Sequence, residues 1–147
     1  MQRVSKASVY ISENVYSSIN EGLLILLGID SSDCEDDIFW LTKKITSLRI
    51  FSDQYGKMNS SVIDVNRDIL VVSQFTLQAS TKKGSRPSFI RAAKPALAMP
   101  LYERFIKELS CLTNKKVKSG RFGEYMKVEL INDGPVTIIM DSKDRSF

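Results

Sequence analysis

The chain has 147 residues, of which 43% are apolar and 26% charged, the balance of an ordinary globular protein and the length of one domain. Disordered, collagen-like and low-complexity classes are excluded, and no run approaches the roughly 18 apolar residues that a bilayer span needs. There is no histidine and there are only two cysteines, so a Ser-His-Asp triad, a Cys-His dyad, a His-ligated metal and a thiolate zinc site are all beyond this composition. Any chemistry has to use hydroxyls, carboxylates, lysines, backbone groups or the substrate itself, and neither a metal nor a cofactor is expected.

The net charge of +4 is unevenly spread. Between Thr81 and Arg121 eleven basic residues face only Glu103 and Glu108, so that stretch carries +9 and the remainder −5. Between Glu21 and Asp37 there are six acids and no base. A segregated basic segment suits a polyanion, because neutralising phosphates supplies affinity without sequence preference. A solvated helix face with basic loops would give the same count. Cys34 and Cys111 stand in no motif and read as reduced thiols. The first residues alternate polar and apolar and lack the apolar core of a signal peptide, so the expected address is the cytoplasm, without membrane contact.

In chain order, Val4 to Ile11 and Val15 to Ile19 read as strands around a turn at Ser12-Glu13-Asn14. Leu23 to Ile29 is an apolar run of the kind found in a strand buried on both faces. A helix follows, signalled by a capping pattern of Ser32 with Glu35 and by Ile38, Leu41, Ile45 and Leu48 at helical spacing. Val62 to Val65 and Ile69 to Phe75 read as further strands. A second helix is predicted from Pro95 or Ala96 to about Leu112, with Leu97, Leu101, Phe105, Leu109 and Leu112 on one face and a kink or late start at Pro100. Val128 to Ile131 and Val136 to Met140 read as a last strand pair. The expectation is a single α/β (α+β) domain over residues 1–147, mostly antiparallel, with two main helices covering sheet.

Three segments break the local rules. Ser73-Gln74-Phe75-Thr76-Leu77 puts hydroxyls and an amide at the end of a buried strand, where they either line a cleft or form a plain polar exit. Asn132-Asp133-Gly134-Pro135-Val136-Thr137 puts proline, which cannot donate to a sheet ladder, between two apolar strands. It is either a simple turn or a place for a cis peptide. Lys83-Gly84-Ser85-Arg86-Pro87-Ser88-Phe89 is a basic loop with one aromatic, fit to hold a phosphate backbone or merely to be solvated.

Taken together and in this order, these segments make the chain resemble the D-aminoacyl-tRNA deacylase family, from near its first residue to about Ser142. Gln2-Arg3-Val4, Gly22-Leu23-Leu24, Leu48-Arg49-Ile50-Phe51, Gly56-Lys57-Met58-Asn59 and Gly120-Arg121-Phe122-Gly123 match as well. Ser80 departs from the family, which often has aspartate there. The resemblance implies a barrel-like arrangement of antiparallel sheets with two helices, forming a homodimer with its active sites at the interface. It implies hydrolysis of the ester joining a D-amino acid, or glycine mischarged on certain tRNAs, to the terminal adenosine of tRNA. Ser73, Gln74, Phe75 and Thr76 would be catalytic, the Phe75 and Thr76 N–H groups facing the developing oxyanion, and the ribose 2′-hydroxyl would assist attack. Gly134 and Pro135 would form a cis dipeptide that one protomer inserts into its partner's site to exclude L side chains, with Arg3 bracing it. Lys82, Lys83 and Arg86 are the candidate tRNA contacts. Two alternatives stay open: a non-catalytic nucleic-acid-binding dimer, and a hydrolase with Thr76 as covalent nucleophile.

Overall fold

The computed structural model describes residues 1–145. Strands β1 (Gln2–Ile11) and β2 (Asn14–Ile19) form a hairpin. Its tip is Ser12-Glu13, both with positive φ (48° and 65°), the geometry that matches the twist of a two-residue hairpin. The connection is therefore one residue tighter than the sequence suggests, with Asn14 already paired to Ile11.

Strand β3 (Gly22–Leu27) pairs antiparallel with the first residues of β1 and occupies the same edge that β2 takes further along. The helix α1 (Glu35–Ser47), a small hairpin of β4 (Phe51–Ser52) with β5 (Met58–Ser60), and β6 (Asp68–Ser73) follow. β6 runs parallel to β3, from Gly22 opposite Asp68 to Leu27 opposite Ser73. After the helix α2 (Pro95–Thr113), the short β7 (Lys118–Ser119) adds a second parallel pairing to β6, and β8 (Lys127–Thr137) lies antiparallel on the free edge of β1. The order β2-β1-β3-β6-β7 curls until β2 approaches β7, where the Arg121 guanidinium sits 5.2 Å over the Tyr16 ring. The result is the expected α/β, barrel-like sheet with two helices. Antiparallel pairings dominate, and a parallel centre was not legible beforehand.

Two cores explain the apolar runs. Val4, Ala7, Val9, Ile19, Leu24, Leu70 and Val72 fill the inside of the curled sheet. The alternate residues Leu23, Ile25, Leu27, Ile69 and Val71 pack outward against Ile38 and Ile45 of α1 and Ala98, Leu101, Phe105 and Leu109 of α2. Central strands buried on both faces lose the usual polar-apolar alternation.

Four local expectations are corrected. Helix α1 is capped by Cys34 rather than Ser32; the Asp37 carboxylate reaches back to the Cys34 N–H at 2.9 Å. Val62 to Val65 is a turn, because the Asp64 carboxylate accepts from the Ser61 N–H (2.8 Å) and hydroxyl (2.7 Å), although Val62 itself is buried. Helix α2 begins at Pro95 and runs through Pro100 unbroken, with Ala98 turned inward and Leu97 exposed. The last two strands are one, β8, whose register against β1 shifts around Val4. Gln2 opposes Thr137 while Val4 opposes Asn132, so the intervening residues of β8 loop out of the ladder. Among the described residues no helix is long and apolar enough to cross a membrane.

Candidate active site

β3 and β6 end side by side, and β6 stops at Ser73, before the Phe75 expected from the sequence. The Gln74 N–H donates to the Leu27 carbonyl at 2.8 Å, and the chain then folds into a 3-10 turn, Phe75–Gln78. The turn is closed by the Leu77 N–H on the Gln74 carbonyl (3.2 Å) and the Ala79 N–H on the Thr76 carbonyl (3.1 Å). Phe75 and Thr76 open the turn, so their N–H groups have no partner within it. Two adjacent N–H donors on an exposed turn, anchored to a buried strand, can receive a carbonyl oxygen as it takes on charge. The Gln74 side-chain amide donates to the Thr76 hydroxyl oxygen. That neighbour is a donor and not a base, and it cannot take the hydroxyl proton. Ser73 and Gln74 are half-buried behind the turn, whereas Phe75 and Thr76 are exposed.

The basic loop is joined to this turn. Ser80 and Ser88 exchange backbone hydrogen bonds (2.7 and 2.9 Å), pinching off residues 81–87 as an exposed loop. Phe89, just beyond the pinch, meets the Phe75 ring edge-on, with centroids 5.1 Å apart. Lys82, Lys83 and Arg86 are exposed and form no ion pair among the described residues. Three other basic residues of the stretch are engaged by partners elsewhere. Arg91 pairs with Asp30 at 3.0 Å and Lys115 with Asp68 at 2.6 Å, while Arg104 stacks on Phe39.

The second motif is the excursion of β8. The Gly134–Pro135 peptide is cis, as the resemblance implies, and both residues are exposed. Arg3, largely buried on β1, holds it from beneath: Nε donates to the Asp133 carbonyl (3.2 Å) and faces its carboxylate (3.1 Å), and Nη1 donates to the Ile50 carbonyl (2.6 Å). Gly134 has φ +122°, and a β-carbon there would lie 2.8 Å from Arg3 Nη2 and 2.9 Å from Val136 Cγ2. Only glycine satisfies both the backbone and the space. Asn132, the first residue of this segment, closes the excursion. Its Oδ1 accepts the Val136 N–H (3.0 Å) and its Nδ2 donates to the Thr137 hydroxyl (2.9 Å). An Asn opening an irregular segment is the available signal for such a closure.

The two motifs reach a common cleft only by their ends, Leu77 and Thr137. A cavity of about 430 Å³ is lined by Gly28, Leu77 and Gln78 on one side and Thr137 to Lys143 on another, and neither Gln74–Thr76 nor Gly134–Pro135 lines it. At its polar end, burial raises the Asp33 carboxyl, while the Ser32 N–H is foremost in holding the Asp30 carboxyl below its ordinary value. Nearby, burial of Asp37 opposes its ionisation, but the Lys143 ammonium at 2.6 Å and the Cys34 N–H prevail and hold it at about 2. The acid-rich stretch thus serves as caps and tethers. Among the described residues no three His, Cys, Asp or Glu side chains are grouped to hold a metal ion.

Residues 1–141 match the family model described as D-Tyr-tRNA(Tyr) deacylase. The chain is 59% identical over 145 residues to a D-aminoacyl-tRNA deacylase of Bacteroides thetaiotaomicron, with 99% of this chain and 97% of that one covered. It is 57% identical, with the same coverage, to one of Bacteroides fragilis. Among solved structures, the c-Myc DNA Unwinding Element Binding Protein superposes with a TM-score of 0.87 at 41% identity over 93% of each chain. A "probable eukaryotic D-amino acid tRNA deacylase" shares the fold, with a TM-score of 0.81 at 16% identity over 91% of this chain and 92% of that one. The chain belongs to the D-Tyr-tRNA(Tyr) deacylase family.

Proposed function

We propose that the chain hydrolyses the ester of D-aminoacyl-tRNA, using main-chain groups where other hydrolases use a side-chain relay. The observation that carries the reading is the pair of N–H groups, Phe75 and Thr76, at the exposed start of a turn rooted in the buried sheet. Water attacks the ester carbon, the carbonyl electron pair moves onto oxygen toward those two donors, and the ester C–O bond then breaks. The proton of the attacking water passes by way of the neighbouring ribose 2′-hydroxyl to the departing ribose oxygen. An aminoacyl ester is already activated, so positioning and oxyanion stabilisation are sufficient in a chain without histidine. Ser73 and Gln74 line the back of the site.

Selectivity comes from the other motif. Gly134 and Pro135 stand exposed on a braced excursion and do not line the cleft beside the turn, which fits a homodimer in which each protomer lends this wall to its partner's site. Main chain held there blocks the direction an L side chain must take and leaves the D direction open. Glycine has no side chain to block, so glycyl esters on tRNA(Ala) are also cleaved. Lys82, Lys83 and Arg86 contact the phosphates of the acceptor end. The test is release of amino acid from D-Tyr-tRNA and L-Tyr-tRNA. Release from the D form alone is expected; release from neither contradicts hydrolysis, and equal release from both contradicts the wall.

One further reading has an observation in its favour: the likeness to a protein named for binding a DNA unwinding element fits a non-catalytic nucleic-acid-binding dimer. Retained tRNA binding without release from either ester would favour it.

A further inference from the structure

We propose that Gly28 is a positioning residue for the reaction, setting where the Phe75 and Thr76 N–H groups stand; this rests on the reading of those groups given above. β3 and β6 run together as far as Leu27 and Ser73, and there the chains part. Gln74 stays tied to the Leu27 carbonyl, and the 3-10 turn then folds over Gly28, the next residue of the neighbouring strand. A β-carbon on Gly28 would lie 3.0 Å from Leu77 Cβ, 3.1 Å from the Gln74 carbonyl oxygen and 3.5 Å from Gln78 Nε2.

The two tightest of these atoms belong to, or are fixed directly to, the backbone, so they give way only if the turn moves. They also belong to the two residues that close the turn, through the Leu77 N–H on the Gln74 carbonyl. Pressure on both displaces the peptide units between them, which carry the Phe75 and Thr76 N–H groups. Gly28 is not among the residues with positive φ, so alanine can adopt its backbone without strain. What glycine supplies here is room.

The experiment is steady-state deacylation of D-Tyr-tRNA by the full-length chain and by Gly28→Ala, with Phe75→Pro as reference for loss of one donor. A shift of a few tenths of an ångström in an oxyanion site should lower kcat by about tenfold while KM stays within about twofold. Unchanged kcat in Gly28→Ala would overturn the proposal. So would a raised KM at unchanged kcat, which would make Gly28 only a wall of the cleft it lines. Wild-type turnover in Phe75→Pro would instead defeat the underlying reading, so the two failures are distinct. If Gly28→Ala is unfolded at the assay temperature, the double variant Gly28→Ala/Leu77→Gly, which removes the closest contact, decides the matter. The Gln74 carbonyl contact at 3.1 Å remains, so the kcat ratio of the double variant to Leu77→Gly is compared with that of Gly28→Ala to wild type, at a lower temperature where all four are folded. A ratio closer to one in the double variant supports the positioning role, and an equal or smaller ratio contradicts it.

Discussion

The turn at Phe75–Gln78 and the excursion at Asn132–Thr137 are both largely exposed and both tethered to buried sheet, but they are held by different means. The turn hangs from main chain: a backbone hydrogen bond to Leu27 at one end, two bonds within the turn, and the bare surface of Gly28 beneath it. The excursion is held by side chains, Arg3 from below and Asn132 across its mouth. The difference teaches where each region is vulnerable. A site made of N–H groups tolerates changed side chains but not a lost N–H or a displaced backbone. A wall carried on an arginine fails when that arginine is cut.

The largest effects should come from attacking each region in its own terms. Phe75→Pro deletes one donor at the first position of the turn, where proline's fixed φ is accepted, and kcat should fall by about 10²–10³-fold in single-turnover deacylation. Gly134→Val should bring turnover of D-Tyr-tRNA down at least as far, since no side chain fits against Arg3 and Val136. Next in size, Arg3→Ala removes three contacts from one largely buried group. Turnover of the D ester should fall by about tenfold, and discrimination, read as the D/L ratio of kcat/KM, should narrow as the wall loosens.

Neutralising Lys82, Lys83 and Arg86 together should raise KM by about tenfold, leave kcat nearly intact, and flatten the dependence of affinity on salt by a slope of roughly 2 to 3. Thr76→Ala should have the smallest effect, within about fivefold in kcat, because the hydroxyl has an amide donor beside it and no base. A loss to background there would show that Thr76 is the nucleophile after all.

Much of this organisation is legible in the sequence. Leu23–Leu27 and Ile69–Val72 are continuous apolar runs because both faces of those strands are covered, and the run itself reports it. Both candidate motifs are legible because they place amides, hydroxyls, glycine and proline where strands should continue. What was hidden depends on distant partners. The parallel pairing of β3 with β6 joins residues more than forty positions apart, and nothing local specifies it. Val62 to Val65 has strand composition, yet two short hydrogen bonds to Asp64 commit it to a turn. β8 read as two strands because the ladder to β1, which makes it one, is invisible in the sequence. Gly28 reads only as one residue of the run Leu23 to Ile29, since the space above it is set by a turn about fifty residues later.

The central claim is that the turn of one protomer works with the excursion of the other, and mixed dimers test it directly. Chains carrying Phe75→Pro have an intact wall and a damaged turn, and chains carrying Gly134→Val have the reverse. Random reassortment of the two inactive proteins should give half of the molecules as hybrids, each with one fully intact site, and so recover about a quarter of wild-type D-Tyr-tRNA turnover. If activity stays at the sum of the two parents while hybrids are shown to form, the wall does not act across the dimer and the account is wrong.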